Sequence, residues 1–315
     1  MGASKPDLVL SGHTNDVNSC DYSADGLLVT SASDKTVRVW LRQPATDEFV
    51  EVAYSPLTYH TYSVHCVRFA PRGGSFISCS TDGTAVVWNA KTGVTMSTLR
   101  HPSQSPLRAC CFSPDGSLIA TAGDDGDVCV WSAEQPTILL TLRGHEETVS
   151  CLSFNGDGAL LASGALIGEL RLWQPRSGQT GPVGGVPTAH DLGVTSCDFM
   201  PRSAAHDGAA DILASCGTDC AVRLWTVLPS GGVAPLTSLL AHTGAVMSVR
   251  FSADGALLAS AAGDKTVRLW NTSSWSLVSA LHGHQRYVTC CCFSPDGRLL
   301  VSGSNDKTVR LRLLG

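Results

Sequence analysis

An all-β protein built from seven repeated units is the fold class that this sequence predicts, and three observations predict it. The first is composition: 43% hydrophobic and 16% charged residues exclude disorder, which needs low hydrophobicity and high net charge. The second is punctuation, because 31 Gly and 15 Pro are spread along the chain, as many short strands joined by tight turns require. The third is periodicity. Seven apolar runs end in an aromatic residue, at Tyr22, Phe69, Phe112, Phe154, Phe199, Phe251 and Phe293. Six of these are followed by a Trp, at Trp40, Trp88, Trp131, Trp173, Trp225 and Trp270, with Arg312 at the seventh place; the separations are 18, 19, 19, 19, 26, 19 and 19 residues. The 315 residues divide into seven units of 45, within the roughly 40–45 residues of a four-stranded propeller blade. A seven-bladed β-propeller in one domain is therefore expected, where the length prior of about 100–200 residues per domain would have suggested two.

Each unit runs in the same order. A His opens it, a first strand reaches the aromatic, and a turn such as SPDG (113–116, 294–297) or SADG (23–26, 252–255) leads to a second strand. A second turn, usually carrying Asp, leads to the strand that ends in Trp. Asp-Gly suits such turns because Gly adopts positive φ without steric cost. Alternation such as TVRLW (266–270) places apolar side chains where they pack against the neighbouring blades. On this register the blades are expected at about 12–55, 56–98, 99–142, 143–187, 188–239, 240–281 and 282–315. The last lacks an outer strand, and residues 6–11 are expected to supply it, closing the ring and leaving few sheet edges free. The long fifth separation places an insertion within PRSAAHDGAAD (201–211).

These motifs resemble the WD40 repeat family over the whole chain. Gly12-His13, Gly144-His145 and Gly283-His284 open units, while SASDKTVRVW (31–40), SAAGDKTVRLW (260–270) and SGSNDKTVRLRL (302–313) close them. The resemblance implies a buried network in each blade, linking the opening His, a Ser or Thr of the second strand, the turn Asp and the Trp. By position these are His13, Thr30, Asp34 and Trp40; His60, Ser78, Asp82 and Trp88; His190, Ser215, Asp219 and Trp225; and His242, Ser260, Asp264 and Trp270. Ser, His and Asp together also make a hydrolase triad. Their repetition inside sheets argues for structure instead, since catalysis needs one exposed nucleophile and an oxyanion hole, and no catalytic residue is expected. Three units depart from the pattern: His101 lies eleven residues before Phe112, Ile167 stands at the Asp place of blade four, and Arg312 replaces the Trp of blade seven. Blades four and seven are expected to be the softest parts of the ring.

Charge and cysteine usage narrow the partners. Net charge is −5 and the 22 Lys and Arg form no cluster, so no footprint for a nucleic-acid backbone exists. Residues 1–12 lack the apolar core of a signal peptide, and no apolar run approaches the roughly 18 residues of a membrane span. Nine of the 13 Cys fall one to three residues before a repeat aromatic, where a free Cys serves as a small buried hydrophobe. No paired Cys-x-x-Cys units have zinc spacing. Neither metal nor cofactor is expected, and unpaired thiols at this density point to the cytoplasm or nucleus.

Function must then come from exposed loops. The opening-His loops and the Asp turns share one face of a propeller, its top, and the residues projecting there are Thr14, Asp16, Tyr62, Ser63, Gln104, Glu146, Leu166, Ile167, Asp191, Leu192, Arg286 and Tyr287. Tyr, Arg and exposed aliphatic side chains anchor interfaces. Leu166 and Ile167 have two readings: interface residues, or filling for the space of the missing Asp. The expected function is a monomeric, non-catalytic scaffold for protein binding. Its rival is a reader of Lys- or Arg-bearing peptides such as histone tails, with Asp16, Glu146 and Asp191 as acids and Tyr62 and Tyr287 as cation–π walls. An enzyme finds no support in a phosphate loop, a metal-ligand spacing or a nucleophile elbow. HTYSVHCVRFAP (60–71), SCSTDGTAVVWN (78–89), AHDLGVTSCDF (189–199) and ASCGTDC (214–220) resemble the propellers of WD-repeat proteins that carry SAM and U-box domains. In that family the propeller precedes a SAM domain and a ubiquitin-ligase U-box and is taken as the substrate-recognition part. The resemblance implies a link to ubiquitin ligation; no SAM or U-box is expected within these 315 residues, so ligase activity is not expected of them.

Overall fold

A computed structural model of the chain describes residues 7–43, 46, 48–202 and 210–314. Pro6 and most of the expected insertion, 203–209, lie outside the described residues. Within them the chain forms seven four-stranded antiparallel sheets and no helix, a seven-bladed β-propeller. In blade one Val17–Tyr22, Leu27–Ala32, Val37–Arg42 and Phe49–Glu51 follow each other outward from the axis. The other inner strands are Val64–Phe69, Leu107–Phe112, Val149–Phe154, Val194–Phe199, Val246–Phe251 and Val288–Phe293. Each ends on the aromatic that marks the repeat.

The core lies between blades rather than within them. Val128, Val130 and Leu142 of blade three pack with Val149, Phe154, Leu161 and Trp173 of blade four. Leu160, Leu170 and Leu172 of blade four pack in turn with Val194, Phe199 and Trp225 of blade five. Burying each such aliphatic side chain contributes about 1.5–3 kcal/mol, and every blade obtains it from its neighbours. The inner strands are sheet edges, and short polar side chains serve them across the seams. Asp21 accepts the Phe69 N–H at 2.7 Å, Asp198 accepts that of Phe251 at 2.9 Å, and Ser153 accepts that of Phe199 at 3.2 Å.

Twelve of the 13 cysteines are buried, none is in a disulfide, and Cys220 is half-buried. Burial raises the thiols of Cys111, Cys216 and Cys291, the last to about 12, so they stay protonated and pack as apolar groups.

Ring closure joins the two ends of the chain. Leu8–Ser11 pairs antiparallel with Thr308–Leu313, Leu8 opposite Leu311 and Ser11 opposite Thr308. Arg312, which the sequence marks as a missing Trp, is buried here. Its Nε donates at 2.9 Å to both oxygens of Asp7, its Nη2 donates at 2.7 Å to one of them, and Nη2 also reaches the His282 carbonyl. Arg310 adds a contact to Asp7 at 3.3 Å. Burial alone would raise the Asp7 carboxyl, but the two guanidiniums outweigh it and hold it below its ordinary value. The departure that suggested a soft blade seven is a charged lock between segments 305 residues apart.

Removing one partner of a buried, hydrogen-bonded charge leaves the other unsatisfied, at about 1–3 kcal/mol. Asp7→Ala is therefore expected to lower stability by about that amount and to accelerate amide exchange in Leu8–Ser11 and Thr308–Leu313 ahead of blades three and four. Unchanged exchange in these two strands would refute the lock.

Candidate protein-interaction face

The polar residues of each repeat form a hydrogen-bonded relay behind the top face. In blade one the Trp40 indole N–H donates to Thr30 Oγ1 at 3.1 Å, Thr30 lies 2.8 Å from His13 Nε2, and His13 Nδ1 lies 2.9 Å from Asp34. A neutral imidazole protonated on Nδ1 satisfies every member. The same relay recurs in blade two through Trp88, Ser78, His60 and Asp82, with His60–Asp82 at 3.0 Å. It recurs in blade five through Trp225, Ser215, His190 and Asp219, and in blade six through Trp270, Ser260, His242 and Asp264. The Asp also accepts the N–H of the residue after the His, at 2.9 Å from Thr14, 3.0 Å from Thr61, 3.2 Å from Asp191 and 3.1 Å from Thr243. This bond ties the opening loop to the Asp turn, so the relay sets the backbone of both loops that face solvent.

Two irregular blades give their histidines other partners: blade four closes its relay by substitution, whereas in blade three Trp131 donates to Thr121 at 2.9 Å and the His turns to Cys129 instead of that hydroxyl. In blade four Ile167 is indeed not a ligand, but Glu169, two residues on and buried, bonds His145 Nδ1. His145 Nε2 meets Ser163 at 2.6 Å, and Trp173 donates to Ser163 at 2.7 Å. Glu169 occupies the place of Thr36, Thr84 and Thr266 in other blades, and its longer side chain reaches the imidazole from there. Blade four is thus not the gap that Ile167 suggested. In blade three His101 is buried and belongs to the set: Nδ1 meets Ser103 at 2.9 Å, Ser103 donates to Asp125 at 2.6 Å, and Nε2 lies 3.3 Å from Cys129. Blade seven keeps His284–Asp306 and His284–Ser302, both at 2.9 Å.

Because these side chains are inside the blades, the projecting residues are free to differ. Thr14, Gln104, Glu146, Asp191 and Arg286 are exposed, while Asp16 and Ser63 are half-buried. Ser63 bonds Ser33 across the seam of blades one and two at 3.1 Å. Among apolar side chains Tyr62 is 58% exposed, Leu166 50%, Ile167 50%, Leu192 58% and Tyr287 55%. Leu166 and Ile167 therefore do not fill the space of the absent Asp, which Glu169 occupies. Two glycines bring the Leu166–Ile167 turn against the Asp191–Leu192 turn. A Cβ at Gly168 would stand 2.1 Å from the His190 carbonyl oxygen, and one at Gly193 would stand 2.7 Å from that of Leu166. Leu166, Ile167 and Leu192 are consequently exposed on two adjoining turns at the blade four–five seam.

The channel mouth holds residues that the motif reading missed. Every inner strand has a register shift at its second residue, so Asn18, His65, Arg108, Ser150, Thr195, Met247 and Thr289 bulge out of the ladder. A bulge re-aims a side chain, and all seven line a mouth of about 460 Å³ with Leu166 on its rim. Several of them staple neighbouring blades: Asn18 donates to the Val64 carbonyl at 2.9 Å, Thr195 to that of Val246 and Thr289 to that of Val17 at 2.5 Å each. Among the described residues no group of three His, Cys, Asp or Glu could hold a metal ion, and no helix could cross a membrane.

A ring of seven sheets with such a relay defines the class. The WD domain, G-beta repeat family model matches residues 4–40, 53–89, 93–132, 136–174, 182–226, 233–271 and 275–312, and the chain belongs to the WD40 family, whose propellers are generally non-catalytic scaffolds that bind other proteins. Among individual relatives, it is 37% identical to human WD repeat, SAM and U-box domain-containing protein 1 over 85% of this chain and 56% of that protein. Identity to the Danio rerio protein of the same name is 38%, over 88% of this chain and 57% of that one. Periodic tryptophan protein 2 of Arabidopsis thaliana is 26% identical over 87% of this chain and 24% of its own length. The chain spans little more than half the length of the first two.

Two outcomes follow from the relay. Glu169→Thr leaves the His145 N–H unpaired at an expected cost of about 1–3 kcal/mol, and adding Ile167→Asp restores most of it by rebuilding the set seen in blades one, two and six. Equal denaturant midpoints for the native chain and the single variant would contradict Glu169's role. The second concerns acid. Burial lowers His101, His145, His190, His242 and His284 below 6.5, and burial beside Arg108 lowers His65 to about 4. Below about pH 6.5 the unfolded chain binds protons that these imidazoles reject, so stability falls as pH drops. Asp21 and Asp198, raised by burial, the latter to about 7, oppose this over the same range. With more imidazoles than carboxylates, Tm is expected to fall from about pH 7 to 5; a flat or rising Tm in a thermal scan would overturn the assignment.

Proposed function

We propose that this propeller is a protein-interaction scaffold that grips segments of its partners on the top face, and that it serves as the substrate-recognition part of a ubiquitin-ligation assembly. One observation carries the reading: Leu166, Ile167 and Leu192 stand exposed on adjoining turns, Leu166 at the rim of an open mouth, while His145 and His190 beneath are bonded to Glu169 and Asp219. Exposed apolar groups rimmed by polar ones mark interaction sites. The ubiquitin link is supported by likeness to relatives whose names include a U-box. Thirteen unpaired thiols support a reducing setting, cytoplasm or nucleus, and the net charge of −5 supports neither nucleic acid nor an anionic membrane as partner.

The reader of Lys- or Arg-bearing peptides is the second reading, favoured by Glu146 and Asp191 beside those apolar side chains. Its aromatic walls are less open to a cation. Lys35 Nζ lies 5.7 Å from the Tyr62 ring centre, and Tyr287 shares its groove with Lys265 and Arg286. A basic ligand would meet like charge at both.

Affinity purification followed by mass spectrometry tests both readings. Tyr62→Asp, Leu166→Glu and Tyr287→Asp are each expected to reduce recovery of the native partner about tenfold or more with Tm unchanged. Ubiquitin machinery among the partners favours the first reading and histones or other basic peptides the second, whereas unaltered recovery with all three variants overturns the top face as the binding surface.

A further inference from the structure

Free charge on the top face is sorted by sign around the ring. The turn between the second and third strands carries a residue with positive φ in every blade. In blades two, three and four it is Gly83, Gly126 and Gly168, with φ of 74°, 79° and 94°, and in blade five the half-buried Cys220, with φ of 64°. In blades six, seven and one, which are consecutive, it is Lys265, Lys307 and Lys35, with φ of 69°, 69° and 73°. A side chain in that conformation is strained where glycine would not be, and strain retained at a surface points to use of the side chain. All three lysines are exposed, as is Arg286 on the opening loop of blade seven. Among the described residues Lys265, Lys307 and Arg286 have no carboxylate partner.

Lys265 and Arg286 meet in a groove of about 290 Å³ whose other walls are Gln285, Tyr287 and Asn305. It is rich in donors and holds no carboxylate. Gly263 lies beside the aromatic wall: a Cβ there would meet the Tyr287 ring at 3.6 Å, an ordinary van der Waals distance. The other side of the mouth is its electrostatic opposite. Glu146, Glu147 and Asp191 are exposed, while the cations of that arc are already engaged: Arg108 with Asp124 at 2.6 Å, Arg143 with Asp127 at 3.4 Å and Arg223 with Asp219 at 2.5 Å. The acids of the lysine arc are withdrawn into relays, as Asp34, Asp264 and Asp306, leaving only the half-buried Asp16 among its opening loops. Leu166 of blade four and Met247 and Thr289 of blades six and seven share the mouth that joins the two arcs.

Resting on the top-face reading above, we propose that the occupant is an extended peptide segment with segregated charge. Its carboxylates dock in the Lys265–Arg286 groove, an aliphatic side chain covers Leu166, Ile167 and Leu192, and a basic end meets Glu146 and Asp191. Complementary charge fixes the direction in which such a segment lies and rejects wrong partners by like-charge contact. A nucleic acid or other polyanion would suit one arc and be repelled by the other, and a wholly basic peptide would suffer the reverse.

The test selects short random peptides displayed on phage against the native chain, at low and high salt. Enriched sequences are expected to carry Asp or Glu at one end, an aliphatic residue centrally and Lys or Arg at the other, with enrichment reduced at high salt as screening predicts. Synthetic versions should bind the Lys265→Glu, Arg286→Glu double variant about tenfold or more weakly. Lys265→Gln with Arg286→Gln, which removes charge and introduces none, should show a smaller loss in the same direction and guards against a misfolded charge reversal. Enriched peptides with no charge segregation whose binding is still lost with Leu166→Glu would overturn the sorted-charge seat and leave the interaction scaffold standing. Peptides indifferent to Leu166→Glu and to both double variants would overturn both.

Discussion

No blade of this ring can satisfy itself. A four-stranded sheet has two apolar faces and two edges, and here each face is covered only by the next blade. The inner edge, which points at the axis, has its N–H groups taken up by Asp21, Ser153 and Asp198 across the seams. The outer edge of the last blade is covered only because Leu8–Ser11 returns to it. Stability is therefore a property of the closed circle. Its closing contact, buried Arg312 on Asp7, is made where the regular repeat would place an indole.

Closure also explains how the chain can bear a top face whose side chains vary from blade to blade. The relay of Trp, Ser or Thr, His and carboxylate lies inside blades one, two, four, five and six, and in blades one, two, five and six it ends on the backbone of the opening loop. The loops are thereby held from behind, and the exposed side chains take no part in the relay. A rigid support for variable contacts is what a recognition surface requires. The bulge at the second residue of every inner strand works in the same way. It turns one side chain per blade toward the axis, where Asn18, Thr195 and Thr289 knit neighbours together while forming the wall of the mouth.

Much of this could be read from local pattern. The spacing of aromatic and Trp, the Asp-Gly turns and the alternation in TVRLW act over a few residues, and they located the His, hydroxyl, Asp and Trp of blades one, two, five and six. Position matching fails where the same interaction is made by another residue. Glu169 escaped because an Asp was sought two residues earlier, although a longer carboxylate reaches the same imidazole. His101 looked misplaced because Ser103 bridges it to Asp125. The bulge residues share no side-chain type, being Asn, His, Arg, Ser, Thr, Met and Thr, so only their common backbone geometry reveals them as a set.

The sequence by itself determined the number of blades, the class of fold and the buried character of the polar repeats, because strand alternation, turn chemistry and repeat length are set within each unit. Tertiary structure alone decided what meets across units: Asp7 with Arg312, the Leu166–Ile167 turn with Leu192, and the sorting of free lysines and carboxylates onto opposite arcs. Those relations depend on bending a linear order of seven units into a circle, which makes the first and last blades neighbours and sets residues far apart in the chain around one mouth.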